Sequence, residues 1–323
     1  MELKMAPEPK VEDVHRVDPQ LRAGLALFPD IELTCEILPD LRRASFGRDE
    51  KIAIAGLSEH RVSLPVASGS IDLFVCRPES AEVLPGICCL HGGGFVSGSA
   101  MQMAAQRAGW ALALNAVLVF VDYRLAPEHP FPQPLEDCYA ALRWMCSEGR
   151  EFGIDRTRIA LWGISAGGGL AAGLAILARD RGEFQVACQH LWSPMLDDRT
   201  TTAADPHAYV GQFVWNRKNN RFGWHCYLGQ EPGTPGVSHY AAPSRLRAME
   251  GLPPTYLAVG ALDLFLEENV EYARRLLRGG VPVELHVHPG VYHGAASISE
   301  ADVIKRWERD SRNALNRGLR GYL

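Results

Sequence analysis

The sequence carries no excess of positive charge: 33 Lys and Arg stand against 38 Asp and Glu in 323 residues, a net charge of -5. A nucleic-acid partner calls for a surface that neutralises phosphates, so that class of function is set aside. Long apolar runs are also missing. The longest, Ala108 to Val121, is interrupted by Asn115 and falls short of the ~20 residues that a bilayer crossing needs. The opening MELKMAPEPK has charges with no apolar stretch behind them, unlike a secretory leader, so a soluble cytoplasmic protein with no membrane partner is expected. None of the eight cysteines falls in a CxxC pair and most lie inside apolar runs, which favours buried reduced thiols over a disulfide framework. There is no internal repeat or low-complexity tract.

What is present is apolar mass. Hydrophobic residues make up 47% of the chain, enough to bury a large core and to exclude wholesale disorder. Strand-length apolar runs recur at Ile71–Cys76, Ile87–Leu90, Val117–Val121, Ile159–Trp162, Val186–Trp192, Thr255–Val259 and Val283–Val287. Helical spacing of apolar residues separates several of them, as at Pro134–Cys146, Gly167–Arg179 and Glu267–Leu277. Continuous apolar strands alternating with helices predict an α/β fold with a mostly parallel sheet covered on both faces. Arg61–Leu64 and Ile71–Cys76 lie close enough for a hairpin through Ala67-Ser68-Gly69-Ser70, so the sheet is expected to start antiparallel. Two segments break the rhythm: residues 1–57, with short amphipathic pieces such as Pro19–Phe28, and residues 195–250, rich in aromatic, Pro, Gly and Asn residues. Both read as additions above the sheet's C-terminal edge, where open α/β sheets bind ligands; the remainder, 58–323, forms the core domain.

Gly163-Ile164-Ser165-Ala166-Gly167 follows the run Ile159–Trp162 and opens a helix rich in Gly and Ala. A serine on a sharp strand-to-helix turn needs small residues two positions to either side, and the helix start supplies unpaired N–H groups near the hydroxyl. Alone, the pattern also describes a small-residue packing turn. His91-Gly92-Gly93-Gly94-Phe95 follows the strand Ile87–Leu90. Three glycines leave backbone N–H groups free to meet a ligand oxygen, as an oxyanion hole requires, although a plain flexible turn has the same composition. A phosphate loop is disfavoured because neither GxGxxG nor GK[ST] is present.

A serine nucleophile needs a base and a group that orients the base, in the order Ser, acid, His. Of eleven histidines, only His207, His225, His239, His286, His288 and His293 follow Ser165. His293 lies in the loop just after the last strand, while His286 and His288 lie within that strand. Asp263 ends the run Tyr256–Leu262; its rivals Glu267, Glu268, Asp197 and Asp198 read as helix surface and loop.

HGGGF, DYRLAPEHPFP (Asp122–Pro132), GxSAGG and the late pairing of Asp263 with Tyr292-His293-Gly294 resemble the hormone-sensitive-lipase-like esterases, bacterial family IV of the α/β-hydrolase fold. The similarity runs from about residue 60 to the C-terminus. Leu196–Arg199 and Tyr240–Arg245 further resemble the branch containing the bacterial heroin esterase. The resemblance implies an eight-stranded, mostly parallel sheet flanked by helices, a helical cap, and hydrolysis of short-chain carboxylic esters without cofactor or metal. It makes Ser165, Asp263 and His293 the catalytic residues, and the N–H groups of Gly93, Gly94 and Ala166 the oxyanion hole. It also makes a homodimer plausible, through the sheet edge near Val283–Val287. Ile164 departs from the Asp that many members carry before the serine and cannot supply its polar contacts.

Three other readings compete. A non-catalytic receptor on the same fold usually has a damaged triad, and amidase or lactonase activity would use the same residues. A metallohydrolase would use His286, His288 and His293, but no HExxH or HxHxDH run accompanies them. Glu128 and Arg124 are expected to form a structural network behind the HGGG loop. Tyr209, Phe213, Trp215, Phe222 and Trp224 are candidates for either an apolar substrate pocket or cap core, as are Met5, Leu25 and Phe28.

Overall fold

The apolar runs at the middle of the chain become the middle of a sheet. A computed structural model of the protein describes residues 13–28, 31–46, 54–80, 82–204, 206–297 and 300–321; Met5 lies outside them. Eight strands are present among these residues: β1 (Leu57–Val66), β2 (Gly69–Pro78), β3 (Leu84–Leu90), β4 (Val117–Asp122), β5 (Ile154–Ile164), β6 (Cys188–Trp192), β7 (Thr255–Gly260) and β8 (Val283–His288). They lie in the order β1-β2-β4-β3-β5-β6-β7-β8. β1 pairs antiparallel with β2, and β2 with β4; from β4 to β8 every pairing is parallel. The hairpin is tighter than expected, because Val66 already pairs with Gly69 and leaves only Ala67 and Ser68 in the turn. β5 starts earlier than its apolar run: Ile154 and Asp155 pair with Leu84 and Pro85, and a register shift follows between Pro85 and Gly86.

Every residue of β3, β6 and β7 is buried, as expected for strands covered on both faces, whereas the edge strands β1 and β8 are partly exposed. The pleat sends Cys88 and Leu90 into one apolar layer, with Ile87 and Cys89 in the other. All eight cysteines are free thiols. Burial pushes the Cys88 and Cys188 thiols up to about 12, so both stay protonated and behave as small apolar side chains.

Eight α-helices are present among the described residues: α1 (Leu38–Phe46), α2 (Ala100–Arg107), α3 (Trp110–Leu114), α4 (Gln133–Ser147), α5 (Ala166–Arg181), α6 (Arg217–Leu228), α7 (Leu266–Arg278) and α8 (Asp302–Leu319). The first layer packs under α4, α5 and α7, and the second under α2, α3 and α8. α5 is buried from Ala166 to Ala178, so its apolar residues run all round the helix and each large one, such as Leu170 or Ile176, contributes roughly 1.5–3 kcal/mol. The break expected in the run Ala108–Val121 is real: Asn115 takes a left-handed conformation that ends α3 and lets β4 begin.

The N-terminal segment and the segment after β6 lie against each other. Pro19–Leu27 forms a 3-10 helix capped by Asp18, and its Leu21 is fully buried. Asn219 of α6 accepts from the Leu33 N–H at 2.9 Å and donates to the Ile31 carbonyl at 2.9 Å. α6 also meets the glycine loop after β3, where the Phe95 ring stacks on Tyr227 at 4.0 Å.

Candidate active site

Ser165 occupies the junction of β5 and α5 with φ 57° and ψ -120°. Such a backbone costs on the order of 1–3 kcal/mol and persists only where its surroundings hold it. They do so closely. A Cβ at Gly163 would overlap the Gly167 carbonyl, and one at Gly167 would overlap the carbonyls of Leu90 and His91. The Ser165 N–H donates to the Trp192 carbonyl at 2.9 Å, tying the turn to β6.

Three residues from three strand ends converge there. His293, in the turn after β8, places Nε2 3.0 Å from Ser165 Oγ and Nδ1 2.8 Å from Asp263 Oδ2. Asp263 follows β7, is 1% exposed, and accepts from the Phe265 N–H through its other oxygen at 3.0 Å. The Phe265 ring meets the His293 imidazole edge-on at 5.1 Å. Ser165 is 4% exposed, so the site is covered.

The glycine loop lies beside it. Gly93 and Gly94 have φ 125° and 61°. The Gly93 carbonyl accepts from Val96 N–H at 3.1 Å, Ser97 N–H at 3.0 Å and Ser97 Oγ at 3.0 Å. Behind the loop, His91 stacks on Tyr123 at 4.2 Å, and burial holds its imidazole below the usual range, hence neutral. The Tyr123 hydroxyl donates to the His91 carbonyl at 2.7 Å. Ala166 is the first residue of α5, where helix N–H groups lack intrahelical partners. Acyl transfer at a serine draws on side chains and backbone N–H groups of these kinds.

Other candidates lie elsewhere. His286 meets Glu284 at 2.9 Å, and His288 stacks on Trp307 of α8 at 4.4 Å, where burial and the neighbouring His286 pull its imidazole down to about 4. Among the described residues no group of three His, Cys, Asp or Glu is placed to hold a metal ion. Glu267 is exposed as expected, but Glu268 is buried instead of lying on the helix surface. Its carboxylate accepts from the N–H groups of Leu196 and Asp197 and from the Thr200 hydroxyl, and so fixes the chain leaving β6. Asp197 pairs with Arg199, and the buried Asp198 takes a two-point pair from Arg245 at 2.6 and 2.8 Å.

Arg124 and Glu128 do not form one network. Arg124 clasps Asp137 and Ser68, while Glu128 pairs with Arg42, a residue the sequence reading passed over because an Arg-Arg step on a short amphipathic helix looks like solvent-facing surface. The five aromatic candidates also separate. Tyr209 is exposed, Phe213 packs near Tyr292 at 6.2 Å, Phe222 is half-buried in the first apolar layer, and Trp224 is fully buried near Phe95. Trp215 alone of the five stands at the site, its ring 6.2 Å from that of His293 and its Nε1 donating to Asn220 at 3.1 Å. Ile164 is half-buried with Phe28 and Val214 against the second apolar layer, in place of a polar contact.

A strand-serine-helix turn, a histidine and an aspartate on later strand ends, and a glycine loop on an eight-stranded mostly parallel sheet define an α/β hydrolase. The family described by the alpha/beta hydrolase fold matches residues 87–297, and the chain belongs to it, within the hormone-sensitive-lipase-like esterases. The chain is 34% identical over 256 residues to esterase LipI of Mycobacterium tuberculosis, covering 75% of this chain and 73% of that protein. Bacterial heroin esterase superposes with a TM-score of 0.87 at 39% identity, over 95% of this chain and 99% of that one. Esterase LipW from Mycobacterium marinum superposes with a TM-score of 0.85 at 32% identity, over 95% and 97%. The protein is a carboxylic ester hydrolase.

Proposed function

We propose that the protein is a serine esterase for short-chain carboxylic esters, acetyl to hexanoyl, with Ser165 as nucleophile, His293 as base and Asp263 as the acid that orients it. The observation that carries this reading is the relay of 2.8 and 3.0 Å from Asp263 through His293 to Ser165. Ser165 Oγ attacks the ester carbonyl carbon and His293 Nε2 takes its proton, while Asp263 holds the Nδ1–H tautomer. The oxyanion is met by the N–H groups of Gly93, Gly94 and Ala166. The C–O bond to the alcohol then breaks, His293 returns the proton to the leaving oxygen, and water repeats the sequence on the acyl-enzyme. No cofactor takes part in these steps.

The short-chain preference is supported by Trp215, whose ring stands against Gly94 and 6.2 Å from that of His293. We place the cap in residues 1–57 together with 195–250, since α6 and the N-terminal segment share hydrogen bonds, and the hydrolase core in 58–323. A cytoplasmic setting suits eight free thiols. A homodimer through β8 would cover Leu285 and Val287, both exposed on that edge; light scattering at twice the chain mass is the expected result, and a monomer at micromolar concentration would discard it.

Ser165→Ala, folded by circular dichroism, is expected to lose at least about 10³-fold in kcat on p-nitrophenyl acetate. Near wild-type turnover would remove Ser165 from its role, and stoichiometric ligand binding without turnover in the wild type would favour a receptor. An ester series from acetate to palmitate should peak at or below hexanoate; a peak beyond C12 would make the protein a lipase.

A further inference from the structure

The glycine loop is held from behind by one side chain of the N-terminal segment. Arg42, on α1, donates from Nε to the Val96 carbonyl at 2.8 Å and from Nη2 to the Ala126 carbonyl at 2.7 Å. Its Nη1 and Nη2 also grip the two oxygens of Glu128 at 2.8 and 2.9 Å. A planar guanidinium can serve acceptors on the loop after β3 and on the turn after β4 at once; a Lys ammonium has no such fork.

We propose that Arg42 is a positioning residue for the oxyanion hole and acts through two successive peptide planes. In a trans peptide the carbonyl and the following N–H point in opposite directions. Arg42 Nε fixes the Val96 carbonyl, so the Ser97 N–H in the same plane is aimed the other way, where it donates to the Gly93 carbonyl at 3.0 Å. The Gly93 carbonyl shares its plane with the Gly94 N–H, which is thereby turned out of the loop as a donor for the substrate oxygen. The inference rests on the acyl-transfer reading above. Because Val96 N–H and Ser97 Oγ also hold the Gly93 carbonyl, losing Arg42 loosens the donor without removing it.

The test compares Arg42→Ala and Arg42→Lys with the wild type on p-nitrophenyl acetate, each checked for folding. The expected fall in kcat is roughly 10- to 50-fold, short of the ~10²–10³ that outright loss of a donor causes, with KM within about threefold. A trifluoromethyl ketone binds the serine as a tetrahedral oxyanion, so its Ki should rise by the same factor, whereas the matched methyl ketone should bind as before. A cleft of about 420 Å³ lined by Arg42, Asp122, Arg124 and Glu128 gives solvent a route to the vacated position. Millimolar guanidinium chloride should therefore restore part of kcat in Arg42→Ala and nothing in the wild type. If the ratio of the two ketone Ki values stays at the wild-type figure, Arg42 is a structural tie only and the proposal is wrong, whether kcat holds or whether KM and both Ki values rise together. Arg42→Lys supplies the same ratio should Arg42→Ala not fold. Equal turnover by wild type and Ser165→Ala would instead strike at the esterase reading itself.

Discussion

At Gly94 a missing Cβ and an indole ring compete for one space. A methyl there would come within 2.9 Å of Trp215 Cζ2 and overlap Cη2, so tryptophan at 215 in this position fits only beside a glycine at 94. Trp215 is aimed by Val214, whose φ of 61° is a rare conformation for a β-branched residue and is sustained by the Trp215 Nε1 bond to Asn220. Trp215→Ala should lengthen the accepted acyl chain. The ratio of octanoate to acetate kcat/KM is expected to rise by about tenfold or more, since each added methylene that finds a pocket is worth roughly 1–3 kcal/mol. An unchanged ratio would clear Trp215 of a role in size selection. Nothing in spacing distinguished Trp215 from its four aromatic neighbours. Its place depends on one backbone torsion, and no hydropathy pattern encodes that. Ser165, by contrast, was readable, because the two glycines around it are demanded by contacts within a few residues and with the adjoining strand.

Among elements, the readable ones were those whose periodicity reports burial directly. β3, β4, β6 and β7 fall close to their apolar runs, and the helices over 133–147 and 266–278 sit where three- and four-residue spacing put them. β5 extends five residues before its run because Ile154 and Asp155 pair with Leu84 and Pro85 across polar residues that carry no apolar signal. Arg42 and Glu128 are 86 residues apart, a separation at which sequence alone offers no pairing rule. The cover over the site depends on another such tie, from Asn219 to Ile31 and Leu33. Asn219→Ala strands one N–H and one carbonyl and should lower unfolding stability by about 1–3 kcal/mol. Urea denaturation measures this; a midpoint equal to wild type would mean that water replaces both bonds.

For the whole molecule, apolar runs announced a parallel sheet but not the crossing that puts β4 between β2 and β3, since hydropathy does not record which strand pairs with which. The fold as a unit carries an acid liability. His288 titrates near 4 in the folded protein and near 6.5 when unfolded, so between those values the unfolded chain binds more protons. Stability is therefore full above about pH 6.5 and declines as pH falls toward 4. His288→Phe keeps a ring against Trp307 and should flatten the dependence of the thermal midpoint on pH over that range; an unaltered slope would assign the acid sensitivity to other groups.

The chain order of the three convergent residues also has a consequence in time. Ser165, Asp263 and His293 are synthesised in that order, and His293 reaches the serine only from the turn after β8, the final strand of the sheet. A nascent chain that has emerged through β7 already holds the residues of the strained serine turn and of the glycine loop, yet it lacks His293, the imidazole proposed to take the serine's proton. On the triad proposed above, the serine would stay inert while the fold is unfinished, and hydrolytic competence would arrive with the turn after β8.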